Sequence, residues 1–182
     1  MNKKYELVKN DYIIFKGHKL FRIRALKNFQ TIQGHMVNTG DLGGYVQNEN
    51  NLSQEGNCWV GDDARVFDNA CVSDNAYVFG NACVCDYAWV YGNARVYDYA
   101  CVCGKAKVYN YAKVYDDASV FSNACVYGNA CVSDTARVFG NTRVFDNANV
   151  YNNAHVHGDA CVCGKARVCG KAWVFENAVI WC

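Results

Sequence analysis

From Ala64 to Cys182 the chain alternates apolar and polar positions with a period of six. Each unit reads Ala-x-Val-y followed by a two-residue corner, as in Ala70-Cys-Val72-Ser-Asp74-Asn75 and Ala124-Cys-Val126-Tyr-Gly128-Asn129. Twenty such units run in succession; Ala yields only at Thr142 and Val only at Ile180. Alternation places Ala and Val on one side of an extended segment and x and y on the other. The corner is mostly Asp or Gly followed by Asn, residues that tolerate positive φ and bend a strand sharply. A short strand and a corner repeated without variation predict a coil, stacked so that each strand pairs in parallel with its equivalent one turn away. Three six-residue sides give 18 residues per coil, so the 119 residues predict six to seven coils and a shaft roughly 30 Å long at ~4.8 Å per rung.

The first sixty residues follow another pattern. Tyr5–Val8, Tyr12–Phe15 and Leu20–Arg24 read as short strands, with Lys16-Gly17-His18 as a tight hairpin turn. Solenoids need a polar cover over the first coil, and a small β-meander would serve. The organisation expected is therefore an N-terminal β cap, residues 1–43, and a β-solenoid, residues 44–182.

The run of small and aliphatic residues, twenty units long, resembles the hexapeptide-repeat, left-handed parallel β-helix family. The resemblance covers about two-thirds of the chain. It departs from the family at y, where a small residue is usual and Phe or Tyr stands here. Gly40-Asp-Leu-Gly-Gly-Tyr45 followed by Glu55-Gly-Asn-Cys-Trp-Val60 resembles a lead-in of bacterial and phage hexapeptide-repeat proteins labelled as acyltransferases. The fold class expected is all-β: a three-sided, left-handed parallel β-helix with an N-terminal β-meander cap.

With 18 residues per coil, the outward residues sort by face. The first stacks Arg65, Cys83, Cys101, Ser119, Arg137, His155 and Trp173 beside a y row of Phe67, Cys85, Cys103, Phe121, Phe139, His157 and Phe175. The second stacks Cys71, Trp89, Lys107, Cys125, Arg143, Cys161 and Val179 beside Ser73, Tyr91, Tyr109, Tyr127, Phe145, Cys163 and Trp181. The third stacks Tyr77, Arg95, Lys113, Cys131, Asn149 and Arg167 beside Phe79, Tyr97, Tyr115, Ser133, Tyr151 and Cys169. Aromatic ladders of this kind have two readings. Stacked rungs stabilise a sheet by about 0.2–1 kcal/mol per pair. A contiguous exposed apolar patch also marks a protein interface. The candidate contact residues are Trp89, Tyr91, Lys107, Tyr109 and Tyr127 on one face and Arg95, Tyr97, Lys113 and Tyr115 on the next.

Charge changes the picture little. The formal net charge is +1; residues 1–50 carry eight basic and four acidic side chains, residues 51–182 ten and thirteen. Tyr91, Tyr109 and Tyr127 beside Lys107 and Arg143 could stack bases, but corner aspartates and a net-negative shaft argue against nucleic acid. At 52% hydrophobic residues the chain is too apolar for disorder. Neither a leader after Met1 nor an apolar run of membrane-spanning length is present, so a cytoplasmic protein is expected, in the bacterial host if phage-encoded.

The 12 cysteines fall on the repeat lattice rather than in irregular loops, which suits reduced thiols on strands better than a disulfide framework. Cys83, Cys85, Cys101 and Cys103 occupy two adjacent rungs. Their Cα rectangle, about 4.8 by 6.7 Å, is wide for a zinc ion with bonds near 2.3 Å. An iron–sulfur cluster would fit the width but not the usual loop spacing, so no metal is favoured.

The family resemblance implies, as the alternative, a trimeric acyltransferase with coenzyme A between shafts and a histidine as general base. His155 and His157 point outward together and would be that base; His18 lies in the hairpin turn and His35 in the lead-in. However, no loop interrupts the hexads between Ala64 and Trp181 to wall off an acceptor. The reading favoured is a non-catalytic, phage- or prophage-derived solenoid that presents aromatic and basic rows to a protein and blocks it sterically, with no cofactor. Inhibition of a host or defence protein fits that reading. Ile180 and Trp181, near the last edge, are expected to join two copies as a dimer through the C-terminal coil, an aromatic face being the other route.

Overall fold

The computed structural model describes residues 3–182. It is an all-β solenoid of parallel stacked coils. Three sheets form its sides: one of ten strands and two of seven, with a separate two-stranded pair. The register follows the repeat: Cys83 pairs with Cys101, Trp89 with Lys107 and Arg95 with Lys113, each one coil apart. Every valine from Val60 to Val162 on the inward row is fully buried, as are the alanines beside it. Small Ala lets the three walls approach closely and Val fills the remaining core. Such burial stabilises by about 1.5–3 kcal/mol per valine.

Backbone hydrogen bonds run along the shaft. Trp89 N–H donates to Ala106 O at 2.9 Å and Tyr91 N–H to Val108 O at 3.0 Å. Corners join the same ladder, as where Asn93 N–H donates to Asn110 O at 2.7 Å. The first residue of each corner from Asp62 to Glu176 has φ between 51° and 79°, the left-handed region that the Asp/Gly/Asn preference anticipates. Corner aspartates add a second stitch. Asp62, Asp74 and Asp86 accept hydrogen bonds from the N–H groups of Gly80, Gly92 and Gly104, one coil on, at 2.8–2.9 Å. Thr142, which replaces Ala at 0% exposure, donates its hydroxyl to Phe139 O, so its extra polar atom is satisfied.

At the N-terminus, β1 (Tyr5–Phe15) and β2 (His18–Ala25) form an antiparallel hairpin. Its turn is Lys16-Gly17, with φ of 47° and 83°, as primed hairpin turns require. The two strands expected over 5–8 and 12–15 are one strand, kinked by a register shift between Val8 and Tyr12. A further pair, β3 (Phe29–Gln30) and β4 (Met36–Val37), was not legible in the sequence. Next comes β5 (Leu42–Val46), which pairs antiparallel with β2 and parallel with Arg65–Val66. The hairpin thereby continues the first face.

That pairing corrects the expected coil count. The ten-stranded sheet holds β1, β2 and eight shaft strands from β5 to Trp173–Val174, about eight turns rather than six to seven. A complete turn precedes the regular repeat: β5 on the first face, Leu52 bridged to Val72 on the second, and Trp59–Val60 on the third. Gly43 and Gly44 stand in this turn without the Ala-x-Val frame, and a Cβ on either would lie 2.5 Å from a carbonyl oxygen, of Val60 and Ala64 respectively.

Candidate functional site

Five second-face candidates converge on the middle of the shaft. Trp89 sits between Cys71 and Lys107 on the second-face sheet and is 53% exposed. Its indole stands edge-on to Tyr91, centroids 6.5 Å apart. Tyr91, Tyr109, Tyr127 and Phe145 then stack in one ladder, 4.9 Å between successive rings and within 5° of parallel. The spacing is that of the rungs, so the backbone imposes the stack. Lys107 is exposed beside it.

The third-face candidates form a separate set around the Asn110-Tyr111 corner. Arg95 and Lys113 are in register and partly buried. Tyr97 continues a stack that runs from His35 through Tyr77 and Phe79 to Tyr115. Burial pushes the Tyr97 and Tyr109 phenols up to about 12. Burial raises Tyr91 and Tyr127 as well. All four are neutral donors at physiological pH.

Sequence reasoning missed three of the most exposed rings. Tyr87, Tyr99 and Tyr111 are 59%, 66% and 56% exposed. Each takes the second corner position, where Asn is the usual residue. Breaks in that Asn pattern were the available signal. Tyr87 flanks Trp89 at one border of the second face and Tyr111 lies at the other.

Not all rows face solvent. The hairpin tip folds over the upper first face: Phe15 and His18 pack on Phe67 at 5.8 and 5.1 Å, and His18 Nδ1 lies 3.4 Å from Asp68. Phe67 and Cys85 are consequently buried, and on the third face Tyr77 is buried with His35 stacked against it. The first and third faces are thus covered near the N-terminus, whereas the second is open at Trp89.

His155 lies flat on Trp173 at 4.5 Å, and His157 stacks between Phe139 and Phe175 at 4.9 and 5.7 Å. Both serve as rungs of the first-face ladder. Hollows of about 360 Å³ beside Gln30, Thr31 and Asn75, and of about 340 Å³ beside Tyr115, Asn149 and Arg167, reach neither histidine. Ile180 and Trp181 lie in the strand Val179–Trp181, 38% and 75% exposed and paired with Cys161–Cys163. Cys83, Cys85, Cys101 and Cys103 do sit on adjacent rungs of the first face. No helix among the described residues is long and apolar enough to cross a membrane.

Elsewhere, Lys4 is buried with its ammonium donating to the carbonyls of Glu55, Gly56 and Cys58 and lying 3.1 Å from Cys58 Sγ. Burial lowers its pKa. It ties the segment leading into β1 to the first turn.

No curated protein matches the chain. Residues 88–104, which carry Trp89, Tyr91, Arg95 and Tyr97, are similar to the family model described as YdcK Beta solenoid repeat.

Proposed function

We propose that the chain is a non-catalytic binding scaffold whose second face grips an acidic surface of a protein partner. The observation that carries this reading is the pairing of Tyr87 and Trp89, both more than half exposed, with the exposed Lys107 one rung below Trp89. Large aromatic rings with neighbouring cations are the side chains from which protein hot spots are built. Lys107 on the patch favours a partner surface rich in Asp and Glu. The tyrosine stack behind Trp89 holds it on a rigid base, so little side-chain freedom is lost on docking. Where the partner is a host or defence protein, occupying its surface is itself the inhibitory act.

The test is reconstitution. A partner isolated on the wild-type protein and identified by mass spectrometry is purified, and its affinity for the shaft is measured at two salt concentrations. Trp89→Ser with Tyr87→Ser should weaken binding at least 100-fold, and Tyr91→Ser, Tyr109→Ser and Tyr127→Ser together should abolish it. Lys107→Glu should remove most of the salt dependence. Arg137→Ser, on the first face, serves as the control. Equal affinity for the second-face variants would overturn the reading.

A further inference from the structure

The cysteine lattice brings a donor set together that the four-thiol rectangle does not reveal. The Sγ atoms of Cys85 and Cys103 and a carboxylate oxygen of Asp86 all lie within 4.8 Å of one another. Cys85 and Cys103 are stacked y-row residues on adjacent rungs, and Asp86 is the corner residue that directly follows Cys85. From this convergence we propose that Cys85, Cys103 and Asp86 bind one thiophilic divalent ion of the zinc class.

Geometry supports the assignment. An ion centred among three donors no more than 4.8 Å apart would be at most about 2.8 Å from each, so a closure of about 0.5–0.8 Å reaches Zn–S and Zn–O bonding distances. Small χ1 rotations supply that much. The four thiols of the rectangle are neighbours, each within side-chain hydrogen-bonding range of the next, but among the described residues it is Cys85, Cys103 and Asp86 that bring three donors within 4.8 Å of one another. The corner carboxylate is the third donor, at the rim.

The surroundings fit the same role. One oxygen of Asp86, Oδ2, accepts the Gly104 N–H at 2.8 Å. That bond orients the carboxylate and leaves its other oxygen for an ion, the outer-shell arrangement that metal sites use. On the opposite side Cys85 is buried against Leu20, Tyr45 and Phe67, beneath the hairpin tip. Asp86 is exposed and Cys103 partly so, which gives an ion its entry path. Two thiolates and a carboxylate neutralise a divalent ion with one negative charge to spare, and two thiol protons leave to solvent on binding. One tetrahedral position remains for water.

Cobalt(II) reports such a site through the d–d absorption of tetrahedral thiolate coordination. Reduced, metal-free protein titrated with cobalt should reach its absorbance plateau at one equivalent, and zinc should bleach the signal. Cys85→Ala with Cys103→Ala should abolish the bands. Asp86→Asn keeps a residue suited to the corner's positive φ, as at Asn110 and Asn152, and should weaken binding at least tenfold. A Cys161→Ala with Cys163→Ala variant, which removes a cysteine pair carried by one strand of the second face, should bind as wild type does. Circular dichroism confirms the fold of each variant. Absence of tetrahedral bands in the wild type, their survival in the Cys85/Cys103 variant or unchanged affinity in Asp86→Asn would each overturn the site. Equal loss in the Cys161/Cys163 variant would reassign the binding to thiols at large and overturn it too.

Discussion

Tyr109 lies flat against Tyr91, ring centroids 4.9 Å apart and planes 4° from parallel. Tyr127 repeats the contact on its other side, so Tyr109 is an interior rung with two neighbours. Tyr109→Ser removes both contacts and should cost about 0.4–2 kcal/mol, read as a lower urea midpoint. Trp89 has one edge-on neighbour and is mostly exposed. Trp89→Ser should cost under about 1 kcal/mol. The two variants thus separate a ladder that stabilises from a ring that is available to a partner. A Trp89 variant that unfolds more readily than the Tyr109 variant would assign the indole to the ladder instead.

The same stack predicts an alkaline limit to stability. Burial raises the Tyr97 and Tyr109 phenols from 10.0 to about 12 in the folded chain. Above pH 10 the unfolded chain loses those protons first, so the folded state binds more protons there and stability falls as pH rises. The contribution is fully present below pH 10 and is lost on the way to about 12. Spectrophotometric titration should show these phenolates forming late and together with unfolding. Tyr97→Phe with Tyr109→Phe should shallow the fall above pH 10 while leaving the acid side unchanged.

Corner chemistry sets a third expectation. Asp74 has φ of 58° and accepts the Gly92 N–H at 2.9 Å. Asp74→Ala loses the bond and keeps a strained backbone, a cost of about 1–3 kcal/mol. Glu176 holds φ of 56° with no residue preference behind it. Glu176→Asn should therefore raise the melting temperature slightly, by about 0.5–1 kcal/mol of stability. A drop on that substitution would mean that the Glu176 side chain contributes something the corner geometry does not require.

The regular shaft was legible because its constraint is local and repeated. Each Ala, Val and corner residue meets the same surroundings every six positions, so period alone fixes face, register and burial. The first turn was not legible, because β5 reaches the coil through Gly43 and Gly44 and a short helical turn at Glu49–Asn51. Phe67 and Cys85 read as outward residues, which they are, but only the tertiary fold brings the hairpin tip over them. Tyr87, Tyr99 and Tyr111 escape a reading by faces for a different reason: they sit at corners, where positive φ singles out the preceding residue. Asp86 was hidden likewise, since a corner aspartate reads as turn chemistry until its oxygen is found near two thiols.

Two glycines separate strain from collision at the start of the shaft. Gly17 has φ of 83° and open space where a Cβ would be. Gly17→Ala should cost about 1–2 kcal/mol, the penalty of the left-handed region alone, and Gly17→Asn less. Gly43 lies outside the left-handed region, but a Cβ there would lie 2.5 Å from Val60 O and 2.6 Å from Trp59 Cζ2. Neither neighbour can retreat cheaply: one is backbone in the third-face sheet, the other a ring buried against Tyr5 and Phe29. Gly43→Ala should therefore cost more than Gly17→Ala, about 3 kcal/mol or above, and should expose the Trp59 indole to quenchers before the rest of the shaft melts. If Gly17→Ala proves the more damaging, the hairpin turn rather than the first coil limits the stability of this end.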